Sequence, residues 1–168
     1  RGVEWMMSTP IHLFLYESFG WEPPVFAHVP LLLGPDKSKL SKRHGAKSVL
    51  EYLAEGFLPE AINNFLFYLG FSYQDNSKLL TLPEMVEIFD EKRLQKQNAI
   101  FDIQKLTYLN NQWIKKLELD DLFERVESFI PSEWKSDKEK TKLVLNLVRE
   151  RMQTLVDFVD MASYFYED

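Results

Sequence analysis

From Ser48 onward the chain is punctuated as one helix after another, and this succession of start and stop signals restricts its fold more than any other feature. Ser48 can cap a helix over Val49 to Glu55 that Gly56 closes. Pro59 opens a second, whose Ala61, Ile62, Phe65, Leu66 and Leu69 share one apolar face. Thr81, with Glu84 three residues later, is a capping box for a helix through Phe89. Asp102 can cap a helix that carries Leu106, Leu109 and Trp113. Further helices are expected around Leu119 to Phe129, Asp137 to Glu150 and Arg151 to Tyr166.

The stretch ahead of Gly45 has a different grammar. Ser8-Thr9-Pro10 is a helix start, a capping hydroxyl followed by proline in the first turn, and Gly20 ends the helix. Pro23-Pro24 breaks the chain. Val25 to Leu33 reads as a buried strand, apolar and partly β-branched between prolines and Gly34. Gly34-Pro35-Asp36-Lys37-Ser38 is turn chemistry. A helix followed by a buried strand is the pattern of the end of an α/β domain. The expected fold is mainly α (α+β), with the main boundary near Gly45 and a weaker one around Leu117.

With 168 residues, 45% of them hydrophobic and 14% aromatic, the chain can bury a core. The absence of cysteine excludes disulfides, thiolate metal sites and cysteine nucleophiles. The three histidines, His12, His28 and His44, are not at metal-ligand spacing, so no zinc is expected within the chain. No apolar run approaches the roughly 20 residues of a membrane helix and no signal peptide is present, which points to the cytoplasm. Arg1-Gly2-Val3-Glu4-Trp5 does not read as a natural start, and the chain is expected to be a fragment of a longer protein.

The net charge of −6 argues mildly against a nucleic-acid partner, yet it hides a local concentration of positive charge. Lys37, Lys39, Lys42, Arg43 and Lys47 lie within one short stretch, offset by Asp36. In Lys39-Leu40-Ser41-Lys42-Arg43-His44-Gly45 two lysines flank a serine in a loop that follows an apolar run and precedes a helix. An ammonium there is a compact point charge suited to phosphate oxygens, and a closing loop would bring it to a departing pyrophosphate. The pattern is not a P-loop, since the second glycine and the Gly-Lys-Ser/Thr ending are missing. Taken alone, such a stretch reads as a solvated basic turn.

Its surroundings change that reading. The stretch resembles the K-M-S-K-S signature of class I aminoacyl-tRNA synthetases, in the K-[LI]-S-K-R form of the glutamyl enzymes. Around it stand Arg1-Gly2-x-Glu4-Trp5, Ser8-Thr9-Pro10, Tyr16-Glu17-x-Phe19-Gly20-Trp21, His28-x-Pro30-Leu31-Leu32, Pro35-Asp36 and Lys47-Ser48. Glu55-Gly56-Phe57-Leu58-Pro59-Glu60-Ala61, Asn64-x-Leu66, Leu69-Gly70 and Phe101-Asp102-x-x-Lys105-Leu106 follow in order. The ordered set is similar to glutamyl-tRNA synthetase over residues 1 to 117; beyond that only helical character agrees.

The resemblance implies a set of roles. Lys42, with Lys39 supporting the loop, would be the catalytic pair on the ATP phosphates. Ser41 would shape the loop and Arg43 fits its glutamyl variant. Arg1 would hold a substrate carboxylate, with Glu4 and Trp5 lining the same glutamate pocket beside ATP. The three histidines are read as structural. The implied substrates are ATP with Mg²⁺, L-glutamate and tRNA(Glu), acted on by a monomer. The implied layout is the end of a Rossmann-type catalytic domain over 1–45, a stem-contact fold over 46–117 and the helical start of an anticodon-binding domain over 118–168. The H-I-G-H-type motif of the family is absent, so the chain by itself should not aminoacylate. Two other readings stay open: a paralogue that transfers glutamate to a modified tRNA base, and a non-catalytic helical interaction module. The loop from Lys37 to Arg43 is expected to be exposed and poorly ordered.

Overall fold

A computed structural model describes residues 1–41 and 47–166. The chain forms two compact units, one from Arg1–Ala46, Leu69–Tyr73 and Asp90–Phe101, the other from Lys47–Tyr68, Gln74–Phe89 and Asp102–Asp168.

The first unit begins with a 3-10 turn, Val3–Ser8, that runs directly into helix α1, Thr9–Ser18. Because the chain enters α1 already coiled, Ser8 sits in helical conformation and its side chain makes no capping bond. The start signal marks the right place through Pro10, but the serine cap expected there is not formed. Its hydroxyl instead donates to the Trp5 carbonyl at 2.8 Å. Gly20, at φ +67°, closes the helix, where a residue with a Cβ would be strained.

Two short strands, β1 (Leu32–Leu33) and β2 (Ala99–Ile100), pair in parallel, with Leu32 opposite Ala99 and Leu33 opposite Ile100. Lys39 bridges Leu33 in antiparallel fashion and Gly2 bridges Val29 in parallel. The ladder is far shorter than the strand expected over Val25 to Leu33, and Val25 is fully exposed. Pro23, Pro24 and Pro30 donate no ladder hydrogen bond, so pairing survives only beyond them.

The second unit holds α2 (Val49–Ala54), α3 (Pro59–Gly70, whose last two residues fall in the first unit), α4 (Leu82–Ile88), α5 (Ile103–Lys116), α6 (Leu119–Val126), α7 (Lys138–Val148) and α8 (Asp157–Ala162). Their starts follow the expected chemistry. Ser48 with Glu51, and Thr81 with Glu84, form reciprocal capping boxes. Asp102 accepts from the Gln104 and Lys105 amides at 2.9 and 3.3 Å. The core gathers Leu58, Ala61, Trp113, Ile114, Leu122, Val126, Leu145, Met152 and Phe158. On α3 the buried face is Ala61, Ile62, Asn64, Phe65 and Tyr68, so Leu66, expected inside, is exposed.

α7 falls where a helix was expected over Asp137 to Glu150, but the last helix is shorter than the expected Arg151 to Tyr166. α7 stops at Val148 and α8 spans only Asp157–Ala162, leaving an irregular segment between them. Its carbonyls are claimed by side chains of α5. Asn110 Nδ2 donates to Gln153 O at 2.6 Å and Asn111 Nδ2 to Met152 O at 2.7 Å. Arg149 in turn reaches the α5 end, donating to the carbonyls of Ile114 at 3.3 Å, Leu117 at 2.8 Å and Lys115. Side-chain amides from elsewhere in the fold thus replace the helical bonds that local pattern suggested.

Candidate functional site

The residues singled out at the start of the sequence and the described part of the basic loop both belong to the first unit. Glu4 and Trp5 lie in the 3-10 turn, and Arg1 stands two residues before its start. The carbonyl of Arg1 accepts from Val29 N at 2.9 Å, and Val3 N donates to Val29 O at 2.9 Å, which fastens the turn to the segment before β1. Arg1 Nη2 donates to Trp5 O at 2.8 Å and to Ser8 Oγ at 2.6 Å, bracing the turn into which α1 is built. Trp5 is 58% exposed. His28, given a structural role from sequence, lies 3.2 Å from the Thr9 hydroxyl.

The loop grows out of β1 as a tight turn. Gly34 N donates to Ser38 O at 2.9 Å and Lys37 N to Gly34 O at 3.0 Å. The Asp36 carboxylate accepts from Ser38 N at 3.0 Å and from the Ser38 hydroxyl at 2.9 Å. Lys37 takes φ +63° at the tip. Leu40 N then donates to Leu32 O at 2.8 Å, so the chain leaves the turn paired with β1. Lys37 and Lys39 are exposed, as expected. Side-chain and backbone bonds hold the first part of the loop as a turn. Ser41 follows half-buried; Lys42, Arg43 and His44 lie outside the described residues.

What joins the two motifs is an ion pair. Lys39 Nζ lies 3.2 Å from Glu4 Oε1 across 35 positions of sequence. The Glu4 carboxylate is held below the ordinary glutamate value, first by its own backbone N–H and then by Lys39. Gly2 makes room for it: a Cβ at position 2 would sit 2.1 Å from Glu4 Oε2. Sequence reasoning assigned Gly2 no part. The available signal was a glycine two positions before an acid, a spacing that lets a carboxylate fold back over the backbone.

The second unit carries a separate open polar cleft of about 510 Å³. Gln104, Thr107, Tyr108 and Asn111 of α5 face Arg151 and Gln153 of the irregular segment across it. It offers amides, hydroxyls, the Arg151 guanidinium and the Glu150 carboxylate.

Residues 1–108 match the family description "tRNA synthetases class I (E and Q), catalytic domain", and residues 121–168 match "Anticodon binding domain". The chain is 42% identical over 172 residues to glutamate–tRNA ligase 2 of Caldicellulosiruptor saccharolyticus and 41% identical over 172 residues to glutamate–tRNA ligase of Thermus thermophilus. Each match covers 100% of this chain and 36% of the relative, so the chain spans about a third of their length. Among solved structures, a glutamate tRNA ligase of Elizabethkingia meningosepticum in complex with its amino acid superposes with a TM-score of 0.85 at 29% identity, covering 98% of this chain and 37% of that one. The glutamate-tRNA synthetase of Elizabethkingia anophelis gives a TM-score of 0.84 with the same identity and coverage. A chain whose first 108 residues match that catalytic-domain description, and whose R-G-V-E-W turn meets its K-L-S loop through Glu4 and Lys39, belongs to the class I tRNA synthetases of the E and Q type.

Proposed function

We propose that this chain is the C-terminal part of the catalytic domain, and the start of the tRNA-binding region, of a glutamate–tRNA ligase. The enzyme activates L-glutamate with ATP and Mg²⁺ and passes it to the 3′ end of tRNA(Glu). The observation that carries the reading is the meeting of the Arg1–Trp5 turn with the base of the basic loop at the 3.2 Å Glu4–Lys39 contact. In this reading one motif holds an amino acid and the other holds phosphates beside it. In this reading Arg1 presents its guanidinium to a substrate carboxylate and Trp5 offers an exposed wall. Glu4 lines the same pocket. Lys39, Ser41 and Arg43 shape and charge the loop, and Lys42 neutralises the departing pyrophosphate.

Residues 1–45 are read as the end of the catalytic domain, 46–117 as a stem-contact fold and 118–168 as the start of the anticodon-binding part. The names of the relatives support the substrate assignment. The anticodon-binding match over 121–168 supports it over a transferase confined to the catalytic domain. No helix among the described residues is long and apolar enough to cross a membrane. The proposed enzyme works as a cytoplasmic monomer. Ile11, Phe14 and Leu15 of α1 are exposed, which suits a helix that the remainder of a longer catalytic domain covers.

The test is glutamate-dependent exchange of pyrophosphate into ATP by the full-length protein. Lys42→Ala should lower its rate about 100-fold, the loss expected of a preorganised transition-state donor, with ATP affinity changing less. Exchange near the wild-type rate in that variant would remove Lys42 from its role. Absence of exchange in the wild type would end the reading as a whole. This chain alone should exchange nothing.

A further inference from the structure

We propose that Ser8 is a positioning residue for Arg1, fixing the direction in which the Arg1 guanidinium meets a substrate carboxylate. The inference rests on the functional reading above and adds a residue to the glutamate side of the same site.

Three groups close a ring at the start of the chain. Arg1 Nη2 donates to Ser8 Oγ at 2.6 Å and to Trp5 O at 2.8 Å, and the Ser8 hydroxyl donates to the same Trp5 carbonyl at 2.8 Å. A hydroxyl has a single hydrogen to give. Ser8 gives it to Trp5, so what it turns toward Arg1 is a lone pair. The serine therefore holds the cation as an acceptor and is not poised to donate to a carboxylate. It makes no capping bond, because the chain enters α1 already coiled.

The ring completes a hold on Arg1 at both ends. Its backbone carbonyl accepts Val29 N at 2.9 Å, which fixes the root of the side chain against the segment before β1. A long stem fixed only at its root samples many rotamers. Anchoring Nη2 selects among them, and because the planar guanidinium turns as one piece, holding one nitrogen aims the others. Both acceptors are uncharged, so they direct the cation without cancelling the charge that a substrate carboxylate will meet. Arg1 and Trp5 are exposed and Ser8 is half-buried. Bonds so open to water add little to folding; what they supply is a cation already aimed, which loses less freedom when glutamate arrives.

The experiment measures pyrophosphate exchange by the full-length protein, varying glutamate and ATP separately, in Ser8→Ala, Ser8→Thr, Thr9→Val, Arg1→Lys and the double variant Arg1→Lys with Ser8→Ala. Ser8→Ala should raise the glutamate KM about 10-fold, the order expected for one lost bond to a charged group. Its kcat and ATP KM should stay within about threefold, since the contact serves ground state and transition state alike. Ser8→Thr keeps the hydroxyl and should restore most of the glutamate KM. Thr9→Val removes the neighbouring hydroxyl, which lies 3.5 Å from Trp5 O and bonds His28 rather than Arg1. It should leave the glutamate KM within about twofold. Arg1→Lys removes the fork that Ser8 holds, so adding Ser8→Ala to it should cost less than about twofold more. A Ser8→Ala glutamate KM near the wild-type value, a rise matched by Thr9→Val, or full additivity with Arg1→Lys would overturn the positioning role. A normal glutamate KM in Arg1→Lys would remove Arg1, and Ser8 with it, from the pocket while leaving the ligase reading intact. Absent exchange in the wild type would overturn the ligase reading itself.

Discussion

Gly56 and Leu155 meet backbone against backbone: the Gly56 carbonyl accepts the Leu155 amide at 2.9 Å, and a Cβ at position 56 would lie 2.7 Å from Leu155 N. The glycine thus does more than end α2. It takes φ +84°, and its bare face lets the irregular segment after α7 lie against it. Gly56→Ala adds both a left-handed strain and a clash with rigid backbone. It should destabilise by at least about 2 kcal/mol. Urea unfolding of the variant beside the wild type measures this, and a midpoint shift too small to resolve would show that the segment can retreat.

Asn110 pins the same segment from the other side. It is fully buried; its Oδ1 accepts Leu58 N at 2.8 Å while its Nδ2 donates to Gln153 O. Asn110→Leu keeps the branching of the side chain but leaves the buried Leu58 amide and the part-buried Gln153 carbonyl unpaired. The cost should be about 2–4 kcal/mol, one to two per orphaned group. Asn110→Asp should be worse still, because it turns an oxygen toward the Gln153 carbonyl and buries a charge. Thermal unfolding in the order wild type, Leu, Asp is the expected ranking.

The capping box of α4 predicts a pH dependence. Glu84 is held below the ordinary glutamate value by the Thr81 amide and then by its hydroxyl. A carboxylate with a depressed folded-state value adds stability above its unfolded value, about 4.3, and loses it as pH falls through the lower folded one. Between pH 7 and 5 the wild type should exceed Glu84→Gln by a constant margin. Below about pH 4 the margin should shrink. A margin that widened on acidification would mean that Glu84 is not ionised in the fold.

What was legible in the sequence was what neighbours in the chain decide. Thr81 with Glu84, Ser48 with Glu51, and Asp102 with the two amides after its neighbour are closed within three residues, so their geometry follows from spacing alone. Ser8 shows the limit: the same residue type caps nothing because Val3–Ser8 is already coiled before α1 begins. The strand expected over Val25 to Leu33 shrank to Leu32–Leu33 because a strand exists only where a neighbour pairs with it, and three prolines remove donors. The separation of α7 from α8 was readable, but the irregular segment between them is held by Asn110 and Asn111, some forty positions upstream, and its length no local pattern reveals. For the site, the residue types of both motifs were readable, but their contact was not. A 35-residue separation and the space above Gly2 are properties of the fold.

The polar cleft of the second unit provides a test of where RNA lies. Arg151 is the cation among the residues that line it, facing Tyr108, Gln104 and Asn111. Its neighbour Glu150 is partly neutralised by Lys115, 3.4 Å away. If the cleft seats a tRNA backbone, Arg151 releases roughly one counterion on binding. Arg151→Ala should then weaken tRNA(Glu) binding at low salt and reduce the slope of log affinity against log salt by about 0.7–0.9. Tyr108→Ala should weaken binding without altering that slope, because stacking or hydroxyl contacts release no ions. Lys138→Ala, which removes a cation from the start of α7 outside the cleft lining, is the control for general charge loss. Titrating labelled tRNA(Glu) into the full-length protein and its three variants at several salt concentrations resolves these slopes. Equal slopes for Arg151→Ala and wild type would place the RNA elsewhere on the protein. A slope reduced as much by Lys138→Ala as by Arg151→Ala would show that net charge, not this cleft, sets the salt dependence.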